Sequence, residues 1–464
     1  MQTPLWNALR QVAQSEGSCF STPGHNRGKG LAPLFQLLGQ YDLTELANLD
    51  NLSAPETVIA EAQALAAQAW GSQKTWFLVN GATVGIHAML LATLYPGDTI
   101  LLPRNVHQSI VHGLILSGAN PIFLAPPWDD PWQLMHGLSV EQVEAAFEEN
   151  PDIKAVLVVH PTYFGAVGDT RGIAEVAHRH GVPLLVDAAH GSHLCFHPDL
   201  PDCALACGAD LVVHSAHKTL PALTQSALLH GQGSRIDFGK VQLALRLLQT
   251  TSPSYLLMAS LDYARAWMQE YGQAALTKVL EARTNLAVPF PCLDVSVPKL
   301  GLWLCDPTRL CVDVSALGWN GYAAEDWLLE QSQIHCELST LHHLVFILNT
   351  AHEPLDFARL QSGLNALAQT KPLGVPPWKM PPPPLPKAML SPRAAFEHPY
   401  CYVSLQEAVG QVSAQTVSTY PPGIPVLFTG EEISAQIVDY LETVKSQGGS
   451  LNGLDPLGKI AVCS

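Results

Sequence analysis

The chain has 464 residues, 47% of them hydrophobic and 14% charged, and its 40 acidic and 24 basic residues give a formal net charge of -16. This composition excludes a disordered chain, and the length exceeds what one compact core accommodates, so two or three domains are expected. The lack of a Lys/Arg run argues against nucleic-acid binding, and the lack of an apolar run of roughly 18 residues argues against a membrane span.

The beginning of the chain and its cysteines predict a cytoplasmic protein. Residues 1–17 alternate apolar and polar side chains and lack the charged start and apolar block of a signal peptide. The ten cysteines include no Cys-x-x-Cys pair, and in a chain of this size they are expected to be reduced, mostly buried thiols.

Short apolar runs alternate with amphipathic stretches between Lys74 and His230. The predicted strands are residues 76–79, 99–102, 121–124, 155–159, 183–186, 211–213 and 227–229, and the predicted helices are residues 83–95, 106–117, 140–149 and 169–180. Strands this short and rich in Val, Leu and Ile are typical of a sheet buried on both faces. The alternation predicts a three-layer α/β/α large domain with a mainly parallel seven-stranded sheet.

The rest of the chain is predicted to form smaller domains. Further predicted elements are helices at residues 237–249, 255–270 and 404–417 and strands at residues 310–314 and 344–348. A proline-rich stretch, residues 371–387, cannot form a helix or an inner strand and should be a connector. We expect an N-terminal arm (1–21), a large domain (22–285), a small α/β domain (286–376) and a C-terminal domain (377–464).

Polar side chains cluster directly after the predicted strands. The clusters are residues 80–83, 104–109, 160–165, 187–190 and 215–219. In a parallel α/β sheet, sites lie in the loops beyond the carboxyl ends of the strands. The sequence therefore predicts one shared active site built from these loops.

Asp187 and Lys218 follow two successive predicted strands and carry the predicted chemistry. A lysine among small and hydroxyl residues can form a Schiff base with an aldehyde cofactor, and desolvation lowers the pKa of such an amine. An aspartate at a strand end can keep a pyridine nitrogen protonated, which makes pyridoxal phosphate an electron sink. Ala189 is small enough for the flat ring to lie over it. Alone, Asp187 is an ordinary turn residue and a His-Lys pair is usually solvated surface.

The cofactor's phosphate needs N–H and O–H donors, which the start of a helix provides. Gly81, Ala82 and Thr83 stand at the head of a predicted helix, and Ser215 and His217 lie beside the lysine. These residues are the candidate phosphate ligands.

Histidines supply one further candidate and one alternative. His107, in another strand-end loop, is a candidate for stacking on the opposite face of the ring. His190, His193 and His197 have a spacing that matches no standard metal site, so no metal is predicted.

These residues together resemble the bacterial ornithine/lysine/arginine decarboxylases, fold-type-I pyridoxal-phosphate enzymes with the aspartate-aminotransferase fold. The resemblance covers about residues 22–261 and 391–432. Its motifs are Thr22-Pro-Gly-His25, Asp42-Leu-Thr-Glu45, Leu49-Asp-Asn-Leu52, Phe77-Leu-Val-Asn-Gly-Ala-Thr83, Pro96-Gly-Asp98, Arg104-Asn105, Pro161-Thr-Tyr163, Ala189-His-Gly191, Ser215-Ala-His-Lys-Thr-Leu220, Leu223-Thr-Gln-Ser226, Thr251-Ser-Pro-Ser-Tyr255, Tyr420-Pro-Pro-Gly-Ile-Pro425 and Gly430-Glu431. So many ordered matches imply decarboxylation of a basic L-amino acid to its amine and carbon dioxide.

The resemblance also implies the roles of the site residues. Lys218 holds the cofactor covalently, Asp187 pairs with the pyridine nitrogen, His107 stacks on the ring, and His107 and His217 are candidates for proton transfer. The residues expected to bind the cofactor are Ala82, Thr83, His107, Thr162, Asp187, Ala189, His190, Ser215, His217, Lys218, Thr251 and Ser252. The Thr251-Ser252 region reaches the cofactor of the partner subunit, so a homodimer with shared active sites is expected. The chain resembles the family's short form, which lacks the receiver-like N-terminal domain.

Substrate identity rests on weaker signals. The distal cation of a basic substrate needs an acidic partner, and the Gly430-Glu431 match suggests Glu431. The short form favours arginine or lysine over ornithine. The chain departs from the family's motifs at three positions: Asn26, Gln108 and Ala188 stand where the family has Lys, Lys and Glu. These departures bear on substrate choice or turnover.

Two alternative functions stay open at this point. Another fold-type-I enzyme, such as an aminotransferase or an aldolase, has the same scaffold, and Arg309 or Arg393 is available for an aminotransferase's substrate carboxylate. The departures at Gln108 and Ala188 also permit a weakly active, cofactor-binding regulatory protein. No nucleic-acid or membrane partner is expected.

Overall fold

The Val-, Leu- and Ile-rich runs of the sequence form strands with buried side chains in this computed structural model. The structure describes residues 1–15, 18–294, 301–372, 379, 381–420 and 423–464. The described strands are β1 (Lys74–Leu78), β2 (Thr99–Pro103), β3 (Asn120–Leu124), β4 (Trp128–Asp129), β5 (Leu134–Met135), β6 (Ile153–Val159), β7 (Ala166–Val167), β8 (Leu184–Asp187), β9 (Leu211–His214), β10 (Ala227–Gly231), β11 (Leu304–Cys305), β12 (Arg309–Asp313), β13 (Leu338–Ser339), β14 (His343–Ile347), β15 (Tyr400–Val403), β16 (Val417–Tyr420), β17 (Ile424–Leu427), β18 (Ser450–Asn452) and β19 (Ile460–Cys463).

Capping side chains set the start of several helices. Ser139 and Gln142 form a reciprocal capping box, and Asp169 accepts a hydrogen bond from the Gly172 N–H at 2.8 Å. The described α-helices are α1 (Pro4–Gln14), α2 (Pro33–Gly39), α3 (Val58–Trp70), α4 (Gly81–Thr93), α5 (Gln108–Ser117), α6 (Val140–Glu149), α7 (Thr170–Arg179), α8 (Ala216–Thr219), α9 (Phe238–Leu248), α10 (Tyr255–Trp267), α11 (Gln273–Asn285), α12 (Gly321–Ser332), α13 (Pro354–Gln369), α14 (Pro392–Glu397) and α15 (Ala435–Ser446).

Seven strands form the central sheet, in the order β1-β10-β9-β8-β6-β2-β3. The pairs β2–β3, β2–β6 and β8–β9 are parallel, whereas β10 is antiparallel to both of its neighbours. Every residue of β8 and β9 is buried, as expected for strands covered on both faces. The predicted fold class, α/β with a mainly parallel seven-stranded sheet, is confirmed.

The Cα trace divides into two compact units, the first consisting of residues 1–93 and 183–277. In unit 1 the amphipathic helix α1 buries Leu5 and Leu9 completely. The Asp262 carboxylate, on α10, accepts hydrogen bonds from the N–H groups of Leu5 and Trp6 at 3.0 and 3.2 Å, which satisfies donors at the start of α1. The predicted N-terminal arm therefore contains a docked helix.

Unit 2 consists of residues 94–182 and 278–464. It contains a three-stranded sheet, in the order β12-β14-β13, whose core includes Leu310, Trp319 and Leu344. A further core around Val417, Leu427 and helix α15 belongs to the C-terminal region. The domain boundaries expected at residues 22, 286 and 377 stay predictions. Among the described residues, no helix combines the length and the hydropathy needed to cross a bilayer.

Two expectations for the second half of the chain have different outcomes. The helix predicted at residues 404–417 is wrong: Gly410 has a φ of 83°, and Val412 and Ser413 instead form β-bridges with Glu432 and Val462. The described part of the proline-rich connector has neither helix nor strand, whereas its residues 373–378 and 380 lie outside the described residues, as do Pro421 and Pro422.

Asp50 organises the loop that leads into α3. The residue has a φ of 68°, and its carboxylate accepts hydrogen bonds of 2.8–3.4 Å from the backbone N–H groups of Asn51, Glu56, Thr57, Ile59 and Ala60. Burial acts to raise the pKa of Asp50, but the backbone donors outweigh it and hold the pKa below its usual range. Its carbonyl also accepts a hydrogen bond from the Tyr255 hydroxyl at 2.6 Å.

The substitution Asp50→Asn should lower the free energy of unfolding at neutral pH by about 1–2 kcal/mol, because an amide NH₂ replaces a carboxylate oxygen among backbone donors. Because the pKa is depressed in the folded state, the carboxylate's contribution to the free energy of unfolding is fully present above its unfolded pKa of about 4. It is lost as the pH falls through the still lower folded value. The free energies of unfolding of wild type and variant, measured with denaturant, should therefore become equal at acidic pH. An exposed control, Asp152→Asn, should match wild type throughout, and a pH-independent difference for Asp50→Asn would contradict the assignment.

Candidate active site

Three strands of unit 1 end at the same edge of the sheet. Strands β8 and β9 are parallel neighbours, with Asp187 opposite Val213. Because β10 is antiparallel to both β9 and β1, strands β1, β8 and β9 run in the same direction. The polar segments that follow them, residues 79–83, 188–193 and 215–219, therefore lie at one edge, as the sequence predicts.

Lys218 and His190 form a hydrogen-bonded pair at this edge. Lys218 lies on the single turn α8 after β9, and its Nζ is 3.1 Å from Nε2 of His190. His190 is buried in the turn that follows β8, which the Gly191 N–H closes on the Ala188 carbonyl at 2.8 Å. A hydrogen bond between an amine and an imidazole nitrogen needs a proton between them, so the pair holds a transferable proton.

Asp187 is the last residue of β8 and is 5% exposed. Its Oδ1 accepts a hydrogen bond from the Ala189 N–H at 3.1 Å. Within the described parts of the chain, Oδ2 has no protein donor. A buried carboxylate with one oxygen left over can pair with a protonated ring nitrogen.

The start of α4 provides backbone donors. Gly81 has a φ of 75°, a conformation that favours glycine, and its N–H donates to the carbonyl of Gln225 at 3.0 Å. The N–H groups of Ala82 and Thr83 fall in the first turn, where the helix itself offers no acceptor. This geometry suits a phosphate.

Ser215 and His217 are joined beside Lys218. The Ser215 Oγ is 3.4 Å from the His217 Nδ1, and the His217 N–H donates to the carbonyl of Ser226 at 3.4 Å. Gln225 and Ser226 thus link the Gly81 turn to the Lys218 turn. They were not among the predicted site residues, although the motif that contains them is part of the resemblance.

Two buried histidines lie in the strands below this edge. His214, on β9, is 3.1 Å from the His230 ring on β10, whose other nitrogen is 2.8 Å from Oγ1 of Thr75 on β1. Burial lowers the pKa of His230 to about 3, so this ring is neutral at physiological pH. The network ties three strands together directly before Ser215. Sequence patterns did not reveal it, because the predicted strands 211–213 and 227–229 end one residue before each of these histidines.

In unit 2, His107 caps the start of α5. Its Nδ1 accepts a hydrogen bond from the Ser109 N–H at 3.2 Å and lies 2.8 Å from the Ser109 hydroxyl. Because Nδ1 accepts, the neutral ring carries its hydrogen on Nε2. Gln108, one of the departures from the family, is the half-buried first residue of α5.

Arg104 and Glu431, both in unit 2, form a buried two-pronged ion pair. The Arg104 Nη1 and Nη2 donate to the two oxygens of Glu431, the second at 2.8 Å, and Nη2 also donates to the Val426 carbonyl at 2.9 Å. The guanidinium carbon lies 3.9 Å from the ring centre of Phe428, whose N–H donates to Glu431 at 2.7 Å. The two side chains are 6% and 5% exposed.

This ion pair bears on the expectation that Glu431 binds the distal cation of the substrate, which stays a prediction. Both carboxylate oxygens already bind Arg104, so a substrate cation would share the carboxylate with a buried guanidinium. Glu431 holds Arg104, three residues before His107. The pairing spans 327 positions, so no local sequence signal could reveal it.

The remaining predicted residues lie in loops. Thr162 is buried in unit 2, and its Oγ1 accepts a hydrogen bond from the Ala166 N–H at 3.2 Å. Thr251 and Ser252 are exposed in unit 1, next to Thr250, whose N–H donates to the Asn80 side chain at 3.2 Å.

The two arginines considered for an aminotransferase are differently placed. The Arg393 guanidinium donates to the carbonyls of Ile115 and Leu116 at the end of α5. This use as a C-terminal helix cap weakens its assignment to a substrate carboxylate. Arg309 is buried at the start of β12, and burial lowers its pKa.

The unit 1 residues fit pyridoxal phosphate. They provide a lysine amine, a buried carboxylate with one oxygen left over, and a helix start beside hydroxyl and imidazole donors. Among the described residues, no group of three or more His, Cys, Asp or Glu side chains is arranged to hold a metal ion.

Comparisons with known proteins point to one family. The Orn/Lys/Arg decarboxylase major-domain profile matches residues 3–289, and the C-terminal-domain profile matches residues 382–456. The chain is 37% identical to an arginine decarboxylase of Bacillus subtilis over 455 residues, 95% of this chain and 93% of that one. It is 36% identical to an arginine decarboxylase of Halalkalibacterium halodurans over 467 residues, 97% and 95% of the two chains.

Longer relatives match at lower identity, and a solved structure shares the fold. Relatives named for lysine, arginine or ornithine decarboxylation match at 24–27% identity over 45–49% of their own length. The crystal structure of a Francisella novicida lysine decarboxylase superposes with a TM-score of 0.82 at 21% identity, covering 100% of this chain and 81% of that one.

Substitution of Lys218 tests the centre of the site. Lys218→Ala should abolish the visible absorbance of the lysine-bound cofactor and lower turnover by at least about 10³-fold, a loss within the range for removal of an acid–base group alone. Absorbance spectra and a carbon dioxide assay measure the two effects. Lys278→Ala, at an exposed helix position, should behave as wild type. Normal turnover and a normal spectrum in Lys218→Ala would refute the assignment.

The ion pair of Arg104 and Glu431 predicts a double-mutant pattern. Arg104→Met and Glu431→Met alone should each lower the free energy of unfolding by about 3–5 kcal/mol, because each leaves a buried charge uncompensated. The double variant should regain most of this loss, since two apolar side chains can fill the space. Denaturant unfolding measures all four proteins, and additive losses in the double variant would show that the two side chains are not coupled.

Proposed function

Because this chain belongs to the Orn/Lys/Arg decarboxylase family, we propose that it is an arginine decarboxylase, which converts L-arginine to agmatine and carbon dioxide. Membership makes it a pyridoxal-phosphate enzyme that decarboxylates a basic amino acid, and the choice of arginine is the proposal. The observation that carries it is the set of relatives named arginine decarboxylase, which match at 35–37% identity over at least 92% of both chains. The longer relatives have lower sequence identity to this chain, whether they are named for lysine, arginine or ornithine. The choice of arginine therefore rests on the relatives of matching length.

Each site residue would have a defined task toward the cofactor. When bound, pyridoxal phosphate supplies the sink for the electron pair that remains when carbon dioxide leaves. Lys218 would hold it, and the left-over oxygen of Asp187 would accept the hydrogen of its ring nitrogen. His107 would stack on the ring, as the family resemblance implies. The phosphate would bind the start of α4 together with Ser215 and His217.

The pair of Lys218 and His190 is suited to return a proton. Loss of the carboxylate leaves the substrate Cα in need of one proton. The Lys218 Nζ, 3.1 Å from the His190 Nε2, holds a proton that can be delivered there, and the imidazole can hold it in the meantime. Neutral His230, on the neighbouring strand β10, keeps its ring out of this exchange because its pKa is about 3.

We also propose that the active form is a cytoplasmic homodimer with shared active sites, whose amine product serves polyamine biosynthesis. The exposure of Thr251 and Ser252 in the single chain supports the proposal, since these residues are expected at the partner subunit's cofactor. Helix α2 supports it independently, because Leu34 and Leu37 are 80% and 67% exposed and a partner would cover them.

Product analysis tests the proposed substrate. Purified protein with pyridoxal phosphate should release carbon dioxide from L-arginine, with agmatine as the amine, at a kcat/KM at least about 10-fold above that for L-lysine or L-ornithine. Lys218→Ala is the matched control and should be inactive. A higher kcat/KM for L-lysine would identify lysine as the substrate in place of arginine. Formation of a keto acid would favour an aminotransferase. Bound cofactor without turnover of any of the three would favour the regulatory alternative.

A further inference from the structure

Because Arg104 already engages both oxygens of Glu431, the distal cation of a basic substrate would gain from a second carboxylate. We propose that Glu45 supplies it, from a cavity of unit 1 that serves the active site of the partner subunit. This inference rests on the proposed decarboxylase function and deepens it by naming the residue that recognises the cation. It concerns a guanidinium or an ammonium group, which share the need for an anionic acceptor.

The cavity lies between the loop after Glu45 and helix α9. Its volume is about 260 Å³, and its wall includes Glu45, Asn51, Trp76, Gln249 and Thr251. A water molecule occupies about 30 Å³ in the liquid, so the cavity has room for several waters or for the cationic end of a substrate. Amide, carboxylate and aromatic groups share this lining with the Arg246 guanidinium, so an entering cation needs the Glu45 carboxylate to offset that positive charge.

Three of the other polar side chains of the wall are already bound to the protein. Gln242 accepts from the Trp76 Nε1 at 2.9 Å and donates to the Ser53 carbonyl at 3.1 Å. Gln249 accepts from the Val79 N–H at 3.0 Å, and the Arg246 Nε donates to the Ser53 carbonyl at 2.7 Å. Within the described residues, the Glu45 carboxylate has neither a hydrogen bond nor an ion pair. It is therefore the lining anion left for a ligand.

The carboxylates near Glu45 in the sequence are engaged elsewhere. Asp42 lies 3.2 Å from the His25 ring, and Asp50 is surrounded by the backbone N–H groups of its own loop. Glu45 is exposed, and the partial desolvation of its carboxylate, which has no compensating partner, raises its pKa. A bound cation would provide that compensation.

The position of the cavity connects it to the cofactor site. Thr250 and Thr251 form part of its wall, and the Thr250 N–H donates to Asn80, directly before the Gly81 turn. In the proposed homodimer, Thr251 and Ser252 lie at the partner subunit's cofactor. A carboxylate in the same wall would then bind the far end of a substrate whose Cα is held at that cofactor.

The first experiment measures recognition of the cation. Glu45→Gln should raise the KM for L-arginine and the Kd for agmatine, measured by calorimetry, by about 10- to 100-fold, the loss of one charge-assisted hydrogen bond. Turnover at saturation should change less, and the cofactor absorbance and the melting temperature should stay as in wild type. In wild type, L-citrulline, the uncharged analogue of L-arginine, should bind more weakly than L-arginine. In Glu45→Gln this difference in affinity should disappear. Glu56→Gln, an exposed carboxylate that does not line this cavity, is the matched control and should behave as wild type.

The second experiment tests the subunit from which Glu45 acts. A heterodimer of one Lys218→Ala chain and one Glu45→Gln chain contains a site with Lys218 from one subunit and Glu45 from the other. If Glu45 serves the partner's site, this heterodimer should show the wild-type KM for L-arginine at about half the wild-type turnover per dimer. A KM equal to that of the Glu45→Gln homodimer would overturn the assignment across the subunits.

Failure of this inference is distinct from failure of the proposed function. Unchanged KM and agmatine affinity in Glu45→Gln would overturn the role of Glu45 while wild-type release of carbon dioxide from arginine stands. If wild type acts on lysine instead, the same variants tested with lysine and cadaverine decide the role of Glu45, because the distal charge is common to both substrates.

Discussion

The ion pair between Arg104 and Glu431 holds the loop after β2 in place. Arg104 reaches the C-terminal region through Glu431 and the Val426 carbonyl, and the next residue, Asn105, donates to the His136 carbonyl beyond the β4–β5 hairpin at 2.8 Å. Two consecutive side chains thus join three segments of unit 2. Because a buried ion pair adds little net stability compared with well-packed apolar groups, its contribution is mainly geometric. It fixes the position from which His107 starts α5.

Unit 1 obtains its geometry from strand direction. Asp187, Lys218 and Gly81 come from segments far apart in the sequence, and they meet because β1, β8 and β9 run the same way and end at one edge. This is why the sequence alone could predict them: locating strand ends and applying a rule of sheet topology requires no side-chain contact. The strands themselves were predictable since their residues are buried on both faces. The predicted strand 183–186 differs from the observed Leu184–Asp187 by one residue at each end.

The features that could not be predicted depend on contacts between distant residues or on single backbone angles. Nothing near Glu431 in the sequence indicates that Arg104 neutralises it. The helix predicted at residues 404–417 fails because Gly410 is left-handed and the following residues join β-bridges. Ser226 links two loops through its carbonyl, a group that every residue has. Glu45 stood in a matching motif, but its significance emerges only when the bonds made by its neighbours are known.

The separation of Arg104 and Glu431 also has a consequence for how the protein is made. A ribosome that has synthesised the loop after β2 must add 327 more residues before the partner carboxylate exists. At about 5–20 residues per second this takes roughly 15–65 s. During that interval the guanidinium cannot be buried without severe cost, so the loop that carries His107 stays solvated on the nascent chain. A chain that ends before Glu431 therefore lacks the carboxylate that fixes this loop.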